Sequence, residues 1–232
     1  MIDFEAFEVL TFDCYGTLID WESGILTALV PVFTAHRVSM APEAALELFG
    51  KLESTIQTGE YTAYRDVLEG VLSGFGTQLR FTPSARELES FAKSVQDWPA
   101  FADSPGALRA LASRYKLGVI SNIDDDLFRD SARRLGVDFD WVVTAEQVRS
   151  YKPSPENFRQ AIARIGVPPS RILHVAQSLY HDIGPAARLG LATVWVNRRH
   201  DKAGSGATPP AHAVPDLEVP DLQSLARQAG VA

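Results

Sequence analysis

Short apolar runs, each closing on polar residues and handing over to a helical pattern, restrict this chain more than any other feature. Four of them stand in the C-terminal half: Leu117–Ile120, Trp141–Thr144, Ile172–Ala176 and Thr193–Val196. They are rich in β-branched and aromatic residues and too short for helices, so they read as buried strands. Helical stretches separate them. Asp124–Leu135 ends at Gly136, Pro155–Ile165 follows a loop, and Ser178–Leu189 follows the third run. Strands alternating with helices build a parallel, doubly wound α/β sheet. A further run of the same kind, Val9–Phe12, stands near the start of the chain.

Between Val9–Phe12 and the other strands the period changes. Asp20 to Trp98 reads as helical throughout. Ile25, Leu29 and Phe33 share one helical face, and Pro31 should kink or shorten that helix. Pro42 opens a second helix with Leu46, Phe49, Leu52 and Ile56 inside, and Gly59 breaks it. Tyr64, Val67, Leu68, Val71, Leu72 and Phe75 form a third stripe, ended by Gly74 and Gly76. Thr82-Pro83-Ser84 restarts a fourth helix carrying Leu88, Phe91 and Val95. Four such segments suit a small antiparallel bundle. The expected division is an α/β core over residues 1–19 and 98–232, with residues 20–97 inserted as a helical cap. A bundle hinged over the carboxyl edge of a sheet acts as a lid. Trp21 and Trp98 flank the two hinges. Gly204–Pro210 reads as a flexible loop, and Leu222–Gln228 as a last short helix.

Composition narrows the partners. The 232 residues are 46% hydrophobic and 22% charged, ordinary values for a packed core. A formal net charge of −7 argues against nucleic acid as a partner and favours a small-molecule enzyme. No apolar run is long enough for a bilayer, and the first residues, Met1 to Glu5, are acidic rather than the basic start of a signal peptide. The single cysteine, Cys14, rules out an intramolecular disulfide framework and suits a reducing cytoplasm.

Chemistry gathers at the strand ends. Asp13 follows the first strand, and Gly16 lets the chain turn sharply behind it. Ser121-Asn122 follows the second, Lys152 stands after a loop, and Gln177-Ser178 with Asp182 follows the fourth. Carboxyl ends of parallel strands converge on one crevice, so these groups should meet. Asp13 taken alone is an ordinary turn or capping residue; the others in register give it a catalytic reading. Strand alternation points the Cys14 side chain into the core. His181 and His200 read as packing or surface residues.

The segments Phe12-Asp13-Cys14-Tyr15-Gly16-Thr17-Leu18, Ile120-Ser121-Asn122, Tyr151-Lys152-Pro153 and His174-Val175-Ala176-Gln177-Ser178-Leu179-Tyr180-His181-Asp182 resemble the motifs of the haloacid dehalogenase superfamily. The resemblance implies the Rossmann-like fold with an inserted four-helix cap, and a nucleophilic aspartate. It casts Asp13 as nucleophile, Thr17 and Ser121 as hydrogen-bonding partners, Lys152 as the neutralising cation and Asp182 as the last acid. Substrate binding is expected at Cys14 and Tyr15, through the amides after Asp13, and at Asn122 and Ser178.

Departures from the phosphatases of that superfamily narrow the reading. Their general acid stands two residues after the nucleophile, where this chain has Tyr15, a poor proton donor at neutral pH. Their paired magnesium acids include the position of Gln177. Both losses resemble the L-2-haloacid dehalogenase branch, which has Tyr at that position and works without metal. That implies no required cofactor and a small carboxylic acid as substrate, displaced at C2 by Asp13. The resemblance also implies a cap-mediated homodimer. That branch holds the departing halide with a cap Arg. Leu48–Glu53 contains none, leaving Lys51 as a substitute, and a Tyr near the lysine corresponds to Phe158. Asp13–Trp21, Ser178–Asp182 and Arg198-Arg199-His200 are similar to azetidine-2-carboxylate hydrolase, whose leaving group is a ring amine; Glu53 suits that cation. The alternatives are a magnesium-dependent phosphatase on a small phosphate ester, with Asp13 and Asp182 as metal ligands, and a non-catalytic binding protein of the same fold.

Overall fold

The structure is a computed structural model and describes residues 2–202 and 204–232. Among them, six parallel strands form one sheet in the order β3-β2-β1-β4-β5-β6. The strands are β1 (Val9–Phe12), β2 (Lys116–Ser121), β3 (Trp141–Thr144), β4 (Ile172–Ala176), β5 (Ala192–Val196) and β6 (Leu217–Val219). All four residues of β1 are buried, as a central strand covered on both faces requires. Strand order reverses direction on either side of β1. Its neighbours are β2 and β4, so the crevice at its carboxyl end is the switch point of the sheet.

Helices α1 (Trp21–Ala35), α2 (Pro42–Gln57), α3 (Tyr64–Leu79) and α4 (Ala85–Lys93) lie in sequence between β1 and β2. They bury Ile25, Phe49, Val71 and Phe75 against one another. Pro31 stands inside α1, which runs on to Ala35. Its position is exposed, so the carbonyl that loses an amide partner there faces water. Gly74 and Gly76 do not end α3 either. A Cβ on Gly74 would stand 2.7 Å from Leu52, and one on Gly76 would stand 2.6 Å from the Phe81 carbonyl. These glycines allow close approach, and α3 ends at Arg80 in the left-handed conformation. Ser84 caps α4 in a capping box with Glu87.

The α/β half continues with α5 (Ser104–Ala112), α6 (Asp125–Leu135), the short α7 (Ala145–Val148), α8 (Pro155–Ile165), α9 (Gly184–Arg188) and α10 (Leu222–Gln228). The helix expected over Ser178–Leu189 is divided. Leu179–Ile183 is a π-turn, and α9 follows it. Strand β6 was not expected; three residues after a Gly/Pro-rich stretch carry little pattern. The segment Gly204–Pro210 is partly buried, with Ala207 in the core. It crosses to the helical cap, where a Cβ on Gly50 would stand 2.3 Å from the Ala207 carbonyl oxygen.

Candidate active site

Asp13 leaves β1 at the switch point and is 7% exposed. Gly16 turns the chain at φ +94°, and the amides of Leu18 and Ile19 both donate to the Cys14 carbonyl. That turn returns the Thr17 hydroxyl to Asp13, where it donates to Oδ2 at 2.7 Å. Thr17 Oγ1 in turn accepts from the Gln177 amide at 2.9 Å, tying the turn to β4. Lys152 arrives from the opposite side. Asn122 clasps its backbone twice: Lys152 N donates to Asn122 Oδ1 at 2.7 Å, and Asn122 Nδ2 donates to the Lys152 carbonyl at 3.0 Å. The ammonium then donates to Asp13 Oδ1 at 2.8 Å, Asp182 Oδ1 at 2.7 Å and the Ile120 carbonyl at 2.8 Å. Three donors and three acceptors are matched, which is the ammonium's full capacity.

One buried lysine serving two carboxylates divides them. Burial pushes the Asp13 carboxyl above the ordinary range, Lys152 pulls it down, and the Asp182 charge pushes it up again. Burial acts on Asp182 in the same direction, but Lys152 and His174 together hold it below its usual value. Burial would lower the Lys152 ammonium, yet the two carboxylates keep it above its usual value. Lys152 is thus the main group that favours the ionised form of Asp13.

These groups face a cavity of about 30 Å³ enclosed between sheet and cap. Asp13, Ser121, Asn122, Lys152, Ser178 and Asp182 line it from the α/β half, as the strand-end argument requires. Ser121 Oγ and Asp182 Oδ2 are buried there without a hydrogen-bonding partner. From the cap come Trp21, Glu53 and Tyr64. Glu53 is 3% exposed, and Tyr64 donates to its Oε1 at 2.6 Å. Burial raises its carboxyl to about 7, with the Tyr64 hydrogen bond opposing.

The other residues singled out in the sequence fall inside and outside this cavity. Tyr15 lines the cavity, but its hydroxyl is paired with Ser131 Oγ at 2.9 Å and burial raises it well above its usual value. The Cys14 side chain lies in the core and burial pushes its thiol well up, so only its backbone is left for a substrate. Lys51 is exposed and lines an outer cleft instead of this cavity. His181, read from sequence as packing, is buried and lines the cavity. Burial lowers it to about 4, so its imidazole is neutral, and Nδ1 lies 3.1 Å from Ser178 Oγ. Thr208, from the segment expected to be a flexible loop, also lines the cavity and donates to Gln177 Oε1 at 3.1 Å. Trp98 stays with hinge packing, edge-on to Tyr15 at 5.7 Å, whereas Trp21 reaches the cavity. His200 is exposed and lines only an outer cleft.

Residues 7–190 match the family of haloacid dehalogenase-like hydrolases. The chain belongs to that family. The hydrolase is 27% identical over 224 residues to (S)-2-haloacid dehalogenase 1 of Pseudomonas sp. strain CBS-3, covering 91% of this chain and 94% of the relative. It is 24% identical to (S)-2-haloacid dehalogenase 4A of Burkholderia cepacia, covering 92% and 93%. In fold it matches L-2-haloacid dehalogenase of Xanthobacter autotrophicus with chloropropionic acid covalently bound. That likeness has a TM-score of 0.79 and 20% identity, over 97% of this chain and 98% of the other.

The magnesium implied for phosphatases of this fold does not fit the hydrolase. The Lys152 ammonium lies between the two carboxylates that would hold the ion, and Gln177 Oε1 is engaged by Thr208. Among the described residues no group of three or more His, Cys, Asp or Glu side chains is arranged for a metal. Nor is any described helix long and apolar enough to cross a membrane.

Proposed function

We propose that Asp13 displaces a leaving group from C2 of a small 2-substituted carboxylic acid and forms an aspartyl ester that water then cleaves. The observation that carries this reading is Lys152 Nζ set between Asp13 and Asp182 at 2.8 and 2.7 Å. An ammonium there favours the ionised form of Asp13 without a metal on its oxygens. Displacement at a saturated carbon needs such a carboxylate, in line with the leaving group. Tyr15 is paired with Ser131, so the position two residues after Asp13 offers no acid for an alkoxide. Ser121 Oγ, buried without a partner, and the amides after Asp13 suit the substrate carboxylate. The (S)-2-haloacid dehalogenases among the relatives, and the covalently bound chloropropionic acid in the Xanthobacter protein, support the same chemistry.

Glu53 favours a ring amine over a halide as leaving group. The cavity is lined by three carboxylates, Asp13, Glu53 and Asp182, against one lysine. A departing halide would meet negative charge on the cap side. A ring nitrogen carrying a positive charge would meet its complement, and would leave with the C2–N electron pair as a neutral amine.

Single turnover in heavy-oxygen water, with (S)-2-chloropropionate and with L-azetidine-2-carboxylate, tests the reading. The label should enter Asp13 and be absent from the first product. Label in the product with none in Asp13 would overturn the ester mechanism.

A further inference from the structure

Behind the two carboxylates runs a chain of buried polar side chains that the reading above leaves idle. Thr11 on β1 and His174 on β4 are register partners in the sheet. Thr11 Oγ1 lies 2.9 Å from His174 Nδ1, and His174 Nε2 lies 3.1 Å from Asp182 Oδ1. All three residues are at most 1% exposed. The sheet makes room for the arrangement. Thr11's register partner on the other side is Gly118, where a Cβ would already press on Thr11 Cγ2 at 3.3 Å. Phe158 walls the imidazole, edge to face at 5.1 Å.

Hydrogen-bond accounting assigns the protons. A hydroxyl donating to Nδ1 leaves the imidazole proton on Nε2, which then donates to Asp182 Oδ1. Lys152 donates to the same oxygen. Oδ1 is thus taken twice, and Oδ2 is buried without a partner in a residue that lines the cavity. The charged and titratable groups around Asp182 are Lys152 from the loop before α8, His174 from β4, Asp13 beyond Lys152 and the neighbouring His181.

We propose that His174, its tautomer set by Thr11, is a positioning residue that presents Asp182 Oδ2 as the base for hydrolysis of the Asp13 ester. The proposal rests on the covalent reading. Water oxygen bonds to Asp13 Cγ and gives one proton to Oδ2. The tetrahedral intermediate then breaks its bond to the substrate oxygen, which departs with the electron pair and takes that proton. Asp13 remains as a carboxylic acid and releases its proton to solvent under the pull of Lys152. His174 touches none of the reacting atoms.

Rapid-quench single turnover, followed by intact-protein mass, separates ester formation from ester decay. The probes are (S)-2-chloropropionate and L-azetidine-2-carboxylate, with Asp182→Asn as a trap for the ester. Thr11→Val, which keeps the shape and removes the hydroxyl, should leave formation near normal and slow decay by about tenfold, one hydrogen bond's worth. His174→Phe should in addition shift decay to higher pH, because there Asp182 loses a donor that holds it low. Thr11→Ser should restore most of the decay rate. In a His174→Phe background, Thr11→Val should add nothing further. Normal decay in folded Thr11→Val, or formation slowed as much as decay, would overturn the positioning role. An absence of ester in every protein, Asp182→Asn included, would overturn the covalent reading and this proposal with it.

Discussion

Asp124 of the α/β half caps a helix of the inserted cap: its Oδ1 accepts from the Tyr64 amide at 2.8 Å, and its Oδ2 from the Arg65 amide at 3.2 Å. The residue at the N-cap of α3, Ala63, has no side-chain oxygen to offer. The inserted helix therefore borrows its N-terminal acceptor from the α/β half. Tyr61 stacks on Tyr151 beside it at 5.2 Å, and Tyr151 donates to the Thr62 carbonyl at 2.8 Å. The same Tyr64 carries the hydroxyl that grips Glu53, so one residue links the contact with Asp124 to the cap-side carboxylate.

Asp124→Ala should cost about 1 kcal/mol, the usual worth of an N-cap, and lower the melting temperature by roughly 2–4 °C. Its larger effect should be on KM, because the cap that covers the bound substrate loses its tie. Calorimetry and steady-state kinetics on the same preparation check both. A melting loss with unchanged kinetics would leave Asp124 a purely structural cap.

Glu53 gives the protein a pH dependence centred near neutrality. Its folded-state value is about 7 against 4.5 for the free side chain. The folded chain binds that proton more tightly than the unfolded one. The stability it contributes is therefore full below about 4.5 and is lost as pH rises through about 7. Relative to Glu53→Gln, wild type should lose about 3 kcal/mol over that range, in denaturant titrations at matched pH. Activity should follow the charge. With L-azetidine-2-carboxylate, kcat/KM should rise with pH about a midpoint near 7, and Glu53→Gln should flatten it. A haloacid should show the opposite slope.

Much of this was legible in the chain. Strands β1, β3 and β4 stand where their apolar runs place them, because buried parallel strands leave an uninterrupted signal. Asp13, Ser121, Lys152 and Asp182 meet because strand ends converge, which is a property of the sheet and needs no side-chain detail. What sequence missed depends on tertiary contact. Gly74 and Gly76 look like stops but are points of close packing. His181 comes into the cavity on a π-turn, whose wider spacing no periodicity announces. Thr208 is there because Ala207 is pinned against Gly50, two residues far apart in the chain. His174 reads as one more residue of a buried strand, and only its register with Thr11 gives it meaning.

Lys152→Met should separate charge from shape. Without the ammonium, burial would leave only a small fraction of Asp13 ionised at pH 7. Turnover should fall to that fraction and recover as pH rises, a recovery that mere misplacement of Asp13 would not give. Removing one partner of a buried ion pair also destabilises, by about 3–5 kcal/mol. That loss should shrink at acid pH, where the stranded carboxylates take up protons. Circular dichroism melts at pH 5 and pH 8, beside the activity profile, check both limbs.

Exhaustive chelation should leave turnover unchanged, and the reason lies in how the oxygens of the site are spent. Asp13 Oδ1 accepts from Lys152 and Oδ2 from Thr17. Asp182 Oδ1 accepts from Lys152 and His174. Magnesium holds its water tightly and binds through free, charged oxygens in near-octahedral array. Here it would have to displace an ammonium already paired with both carboxylates, with Gln177 supplying no charge. Lys152→Met should therefore do what metal addition to wild type does not. With the ammonium gone, the two carboxylates become a vacant acidic pair, and millimolar magnesium should stabilise the variant against heat while leaving wild type unmoved. The measurement is a pair of melts, with and without magnesium, set beside assays on 2-haloacids, azetidine-2-carboxylate and a small phosphate ester. Magnesium-dependent phosphate release by wild type, with no attack on either carbon substrate, would install the phosphatase in place of the reading argued above.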